Sequence, residues 1–137
     1  VRETATTCAD ARILLMDDEF NIRNAVGSLL QSYGYEIVLA GDGQETIETF
    51  TRARQEGRPF DVVVLDLTIP GGMGGLEVID HLRRINPEIK AIVSSGYADD
   101  PIMAEYKKYG FSGVVSKPYK IDELLEVLQH VLCRVGA

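Results

Sequence analysis

Asp61-Val62-Val63-Val64-Leu65-Asp66 sets four consecutive apolar residues between two aspartates. A half-exposed strand alternates apolar and polar positions. A run that is apolar at every position suits a strand buried on both faces, as in a parallel sheet covered by helices. Two further runs have the same character: Ile13-Leu14-Leu15-Met16 and Ala91-Ile92-Val93. Glu36-Ile37-Val38-Leu39-Ala40 and Gly113-Val114-Val115-Ser116 complete five candidate strands.

Between the strands lie segments of helical period. Ile22, Val26, Leu29, Leu30 and Tyr33 form one stripe, and Ile47, Phe50 and Ala53 a weaker second. Leu76, Ile79 and Leu82 form a third, Ile102, Met103, Tyr106 and Tyr109 a fourth, and Ile121, Leu124, Leu125, Leu128 and Leu132 a fifth. Each stripe can cover a sheet face. Gly34 and Gly110 read as helix stops, Asn86-Pro87 ends the third helix, and Asp100-Pro101 opens the fourth. This alternation predicts an α/β fold, a doubly wound (βα)5 unit with a five-stranded parallel sheet and right-handed crossovers. Ligands of such sheets sit beyond the carboxyl ends of the strands.

The 137 residues suffice for one domain. Fourteen basic and 21 acidic residues give a net charge of −7, which disfavours nucleic-acid binding by this chain. No uninterrupted apolar stretch is long enough for a transmembrane helix, and the first residues do not form a secretory signal. A chain that opens on Val1 with a polar leader is expected to be a piece of a longer protein. Two cysteines, Cys8 and Cys133, read as free thiols of a reducing cytosol, with a bridge between them left open. They and the scattered His81 and His130 form no zinc-type cluster.

At the strand ends stand Asp17-Asp18-Glu19, Asp66, Ser94-Ser95-Gly96 and Lys117-Pro118. Each has a plain structural reading: a helix cap, a turn residue, a strand hydroxyl, a solvated lysine. Together on one rim they mean more. Carboxylates crowded there need a counter-charge, and hard oxygen donors without His or Cys suit Mg²⁺ or Mn²⁺. A carboxylate nucleophile, a divalent ion, a lysine and a hydroxyl form a set for phosphoryl transfer to a carboxylate.

With these pieces in hand, the chain resembles the response-regulator receiver domains of two-component signalling over roughly residues 11–133. The matching stretches are residues 13–19, 61–70, 92–97 and 113–118. The resemblance implies a flavodoxin-like sheet of order 2-1-3-4-5. It divides the chain into a linker at 1–11, a receiver domain at 12–133 and a tail at 134–137. By position it makes Asp66 the phosphate acceptor. Asp17, Asp18, Asp66 and the backbone carbonyl of Thr68 become the metal ligands. Ser95 becomes the switch hydroxyl and Lys117 the lysine that meets the phosphoryl group. The Lys117–Pro118 bond is expected to be cis, and Tyr97 falls where the family tunes phosphate lifetime.

Two departures stand out. Val114 occupies a position where the family often carries an aromatic toggle. The loop Thr68-Ile69-Pro70-Gly71-Gly72-Met73-Gly74-Gly75 is longer than usual, and its four glycines suggest positive φ angles. The loop and the Ser94-Ser95-Gly96-Tyr97 stretch, with Val114 and Tyr119, resemble receivers at the C-terminal ends of hybrid sensor histidine kinases. That implies a histidine kinase or a histidine phosphotransfer protein as partner, a cytoplasmic location for the domain, and a parent protein that can be membrane-anchored. A homodimer is a further candidate assembly. Family analogy puts partner docking on the first helix and part of an output face on the fourth.

Other readings compete. A stand-alone receiver and the receiver of a DNA-binding regulator share the same site. A Mg²⁺-dependent aspartyl phosphatase would need a second acid where Thr68 stands. A nucleotide-binding module would rest on Gly41-Asp42-Gly43, without the third glycine. A phosphorylation-silent pseudo-receiver would keep the fold alone.

Overall fold

A computed structural model describes residues 10–96 and 101–133. Five strands, β1 (Arg12–Met16), β2 (Glu36–Ala40), β3 (Val62–Asp66), β4 (Ala91–Ser95) and β5 (Gly113–Ser116), form one parallel sheet in the order β2-β1-β3-β4-β5. The three all-apolar runs are its three central strands, where a helix covers each face.

Alternate residues divide between two cores. Leu14, Met16, Val63, Leu65, Ala91 and Val93 face α2 (Gly43–Gln55) and α3 (Gly75–Ile85), packing on Phe50, Ile79 and Leu82. Ile13, Leu15, Val62, Val64 and Ile92 face α1 (Phe20–Ser32) and α5 (Ile121–Leu132), packing on Val26, Leu30, Leu124 and Leu128. Phe50 is 1% exposed, and burying such a ring contributes on the order of 2–3 kcal/mol.

Three local expectations need correction. The first stripe is rotated: Val26, Gly27 and Leu30 are buried, whereas Leu29 and Tyr33 are 47% and 51% exposed. Gly27 lets α1 approach Leu39, so the buried seam runs through a residue without a side chain. The fourth helix is broken into α4 (Pro101–Ala104) and a 3₁₀ turn at Tyr106–Tyr109. At three residues per turn, Tyr106 and Tyr109 share one face, so both still pack against the core. Gly110, at φ 98°, ends this turn in the left-handed conformation. Third, Cys133 is disulfide-bonded rather than free. Cys8 lies outside the described residues, as does Asp100.

Gly41–Thr46 is a helix start. The Asp42 carboxylate accepts the Glu45 N–H at 2.8 Å, and the Glu45 carboxylate accepts the Gly41 N–H at 2.8 Å. Among the described residues no helix is long and apolar enough to cross a membrane.

Candidate functional site

The parallel register brings the ends of β1, β3, β4 and β5 to one rim. Met16 lies beside Leu65, Asp66 beside Ser94, and Ser95 beside Ser116. One residue further along β1 and β5 stand Asp17 and Lys117. An open cleft of about 640 Å³ lies over this rim, lined among others by Asp18, Asp66, Thr68, Ser95 and Lys117.

Asp17 is fully buried. Its Oδ1 accepts the Glu19 N–H at 2.9 Å, and its backbone carbonyl accepts the Arg23 guanidinium at 2.7 Å. Asp66 is 4% exposed, and its Oδ1 accepts the Thr68 N–H at 3.3 Å. Asp18 is exposed and lines the cleft. Oxygens of Asp17, Asp18 and Asp66 lie within 4.8 Å of one another.

The Lys117 ammonium is shared. It lies 3.0 Å from Asp17 Oδ2, 3.0 Å from Asp66 Oδ2 and 3.6 Å from Glu19 Oε1. Burial pulls its pKa down, but the hydrogen bonds to Asp66 and Asp17 and their charges outweigh that and raise it above the ordinary lysine value. The two carboxylates therefore favour the charged form of the lysine. Asp66 moves upward as well: burial raises it, Lys117 opposes, and the Asp17 charge adds to the rise.

Lys117–Pro118 is a cis bond. Ser95 is 2% exposed, and its carbonyl accepts the Lys117 N–H at 2.9 Å. Val114 is half-buried on β5 and packs against the α2–α3 core. Tyr97 lies outside the described residues. His81 and His130 are exposed on α3 and α5, away from the rim.

The glycine loop follows Asp66 directly. Gly71 alone of its four glycines has positive φ, at 72°. Gly74 is required for another reason: a Cβ there would overlap the Leu67 carbonyl oxygen. The loop is thus pressed against the backbone that carries Asp66.

Two residues of the site were quoted in the sequence reading but given no role there. The Tyr119 hydroxyl lies 2.8 Å from Ser94 Oγ and 3.5 Å from Asp17 Oδ2, and its ring lies 6.0 Å from the Lys117 ammonium. Ser94 is fully buried. Their signal was faint: Tyr119 has a polar tip two residues after the key lysine, and Ser94 is a hydroxyl inside an otherwise apolar run.

The response regulator receiver domain family model matches residues 13–129. The chain belongs to that family. This receiver is 29% identical over 121 residues to sporulation initiation phosphotransferase F of Bacillus subtilis (strain 168), covering 88% of this chain and 93% of the relative. It is 30% identical over 132 residues to the sensor kinase CckA of Brucella abortus (strain 2308), covering 96% of this chain but 14% of the kinase. The solved structure of the chemotaxis protein CheY4 of Vibrio cholerae superposes with a TM-score of 0.80 at 31% identity, covering 90% of this chain and 99% of that one. The chain is thus a receiver domain of two-component signalling, with the sheet order that the resemblance implied. Receiver domains bind Mg²⁺ at an acidic aspartate cluster and interact with histidine kinases and phosphotransfer proteins. This receiver carries such a cluster at Asp17, Asp18 and Asp66.

Proposed function

We propose that this receiver accepts a phosphoryl group from a phosphohistidine onto Asp66 and passes it on within a phosphorelay. The observation that carries this reading is Asp66 at the end of a central strand, open to the cleft and 3.0 Å from a lysine that stays charged. An Asp66 carboxylate oxygen attacks phosphorus, a P–O bond forms, the P–N bond to the histidine breaks, and the imidazole leaves with its electron pair. Lys117 turns from the carboxylates to the incoming phosphoryl oxygens. The Ser95 hydroxyl, on the strand beside Asp66, meets another.

Three hard carboxylate oxygen donors within 4.8 Å fit a divalent ion of the Mg²⁺ or Mn²⁺ type. Asp17, Asp18, Asp66 and the Thr68 carbonyl are the residues assigned to hold it. When bound, the ion supplies the positive charge that offsets phosphoryl oxygens arriving among carboxylates. Tyr97 is assigned to slowing hydrolysis of the phospho-aspartate, which Tyr97→Ala would test.

We assign the domain to residues 12–133 and place it in the cytoplasm as part of a hybrid sensor histidine kinase. The long match within CckA favours that parentage. The near-complete match to phosphotransferase F favours a stand-alone receiver instead. Transfer of label from the phosphorylated receiver to the histidine of a phosphotransfer protein tests the relay role in either setting.

Intact mass after incubation with acetyl phosphate and MgCl₂ tests the core reading. The expected result is a gain of about 80 Da, one phosphoryl group, absent without Mg²⁺ and absent in Asp66→Asn. A gain that persists in Asp66→Asn would overturn the assignment. No gain from any donor, the cognate kinase included, would leave a pseudo-receiver.

A further inference from the structure

Asp17 Oδ1 is held by the Glu19 N–H, and Oδ2 has a second donor within reach besides Lys117. Its Oδ2 faces the Lys117 ammonium at 3.0 Å and the Tyr119 hydroxyl at 3.5 Å. That hydroxyl also meets Ser94 Oγ at 2.8 Å, in a fully buried position on β4. A carboxylate is a stronger acceptor than a serine hydroxyl. The consistent arrangement is a chain: Ser94 O–H donates to the Tyr119 oxygen, and Tyr119 O–H donates to Asp17. Hydrogen bonds in such a chain polarise one another, which strengthens the last one.

The lysine has conflicting duties. It neutralises Asp17 now, and under the proposed function it must turn to a phosphoryl group on Asp66. When it turns, Asp17 Oδ2 loses its nearest donor, and a buried carboxylate oxygen short of a donor is costly even where a metal ion supplies charge. We propose that Tyr119 is a positioning residue for the metal-binding aspartates: its hydroxyl, aligned by Ser94, holds Asp17 in place when Lys117 turns away. The contact is long, at 3.5 Å, while the lysine occupies the same oxygen, and the proposed role requires it to shorten when the lysine leaves. The hydroxyl also ties the metal site to β4, the strand that carries Ser95.

This inference rests on the Mg²⁺ reading above, and the test separates the two. The whole chain is melted across a MgCl₂ titration, with and without beryllofluoride as a phosphoryl mimic, for wild type, Tyr119→Phe, Ser94→Ala and the double variant. Tyr119→Phe keeps the ring and its packing. Its Mg²⁺ midpoint is expected to rise about three- to tenfold, the scale of one hydrogen bond to a charged group, and to rise more with beryllofluoride than without. Ser94→Ala is expected to shift it less, about two- to threefold, and the double variant no further than Tyr119→Phe alone. An unchanged midpoint in Tyr119→Phe, a shift equal with and without the mimic, or additive shifts in the double variant would overturn the role. A purely structural tyrosine would lower the metal-free melting temperature and leave the midpoint alone. If the wild type itself does not respond to Mg²⁺, the metal reading fails and this one falls with it.

Discussion

The two ends of the sheet carry charge clusters of opposite character. At the amino end, Arg12 Nε pairs with Glu36 at 3.0 Å, Arg58 pairs with the same carboxylate oxygen at 2.9 Å, and Asp61 accepts the Arg12 N–H at 2.8 Å. Arg12 also donates to the Arg58 carbonyl and lies 4.5 Å over the Phe60 ring. Two cations face two anions, and the side chains of Glu36 and Arg58 are 46% and 63% exposed. At the carboxyl end, Asp17, Glu19 and Asp66 share the Lys117 ammonium, with the two aspartates nearest it buried. A balanced, solvated cluster closes a seam. An unbalanced, buried one holds charge that folding alone does not favour, and such charge marks a site kept for chemistry.

That contrast can be broken experimentally. The largest effect expected is functional: Asp66→Asn abolishes phosphoryl acceptance, whereas Glu36→Gln leaves it intact, both read by intact mass. Next, Lys117→Ala leaves buried carboxylates without a cation and should cost about 3 kcal/mol in metal-free urea denaturation. Mg²⁺ should then restore more stability to that variant than to wild type, because the ion replaces the missing charge. A loss no larger than that of an amino-end variant would remove the distinction between the two ends.

A smaller effect has the opposite sign. Asp66 binds its proton more tightly folded than unfolded, because burial disfavours its charged form. Its contribution is therefore fully present below its unfolded pKa and is lost as pH rises through its folded pKa. Asp66→Asn should then be more stable than wild type at pH 7 without metal, by about 1 kcal/mol, with the gap closing in acid. Urea denaturation at both pH values checks this, and a gap that widens in acid would contradict it. Smallest of all, Glu36→Gln should change stability by no more than about 1 kcal/mol, less at high salt.

Strand positions were legible in the sequence to within two residues, because strands covered on both faces are apolar over most of their length. The acids at the strand ends were legible too, since each follows such a run. Helix faces were less so. Leu29 and Tyr33 fit the period of the first stripe, yet α1 packs through Gly27, and a glycine adds nothing to a hydrophobic pattern. The break after Ala104 also left no trace, because Tyr106 and Tyr109 satisfy both a 3.6 and a 3.0 repeat within so short a segment.

The sequence by itself determined which residues stand at strand ends and what charge they bring, because periodicity and side-chain chemistry are local. Tertiary structure alone decided which of them meet. Placing β1 between β2 and β3 sets Asp17 near Asp66, and pairing β4 with β5 brings Lys117 to both. Tyr119 reaches Ser94 and Asp17 through that same register. Contacts between residues so far apart along the chain follow from which strands pair, and no local pattern encodes that.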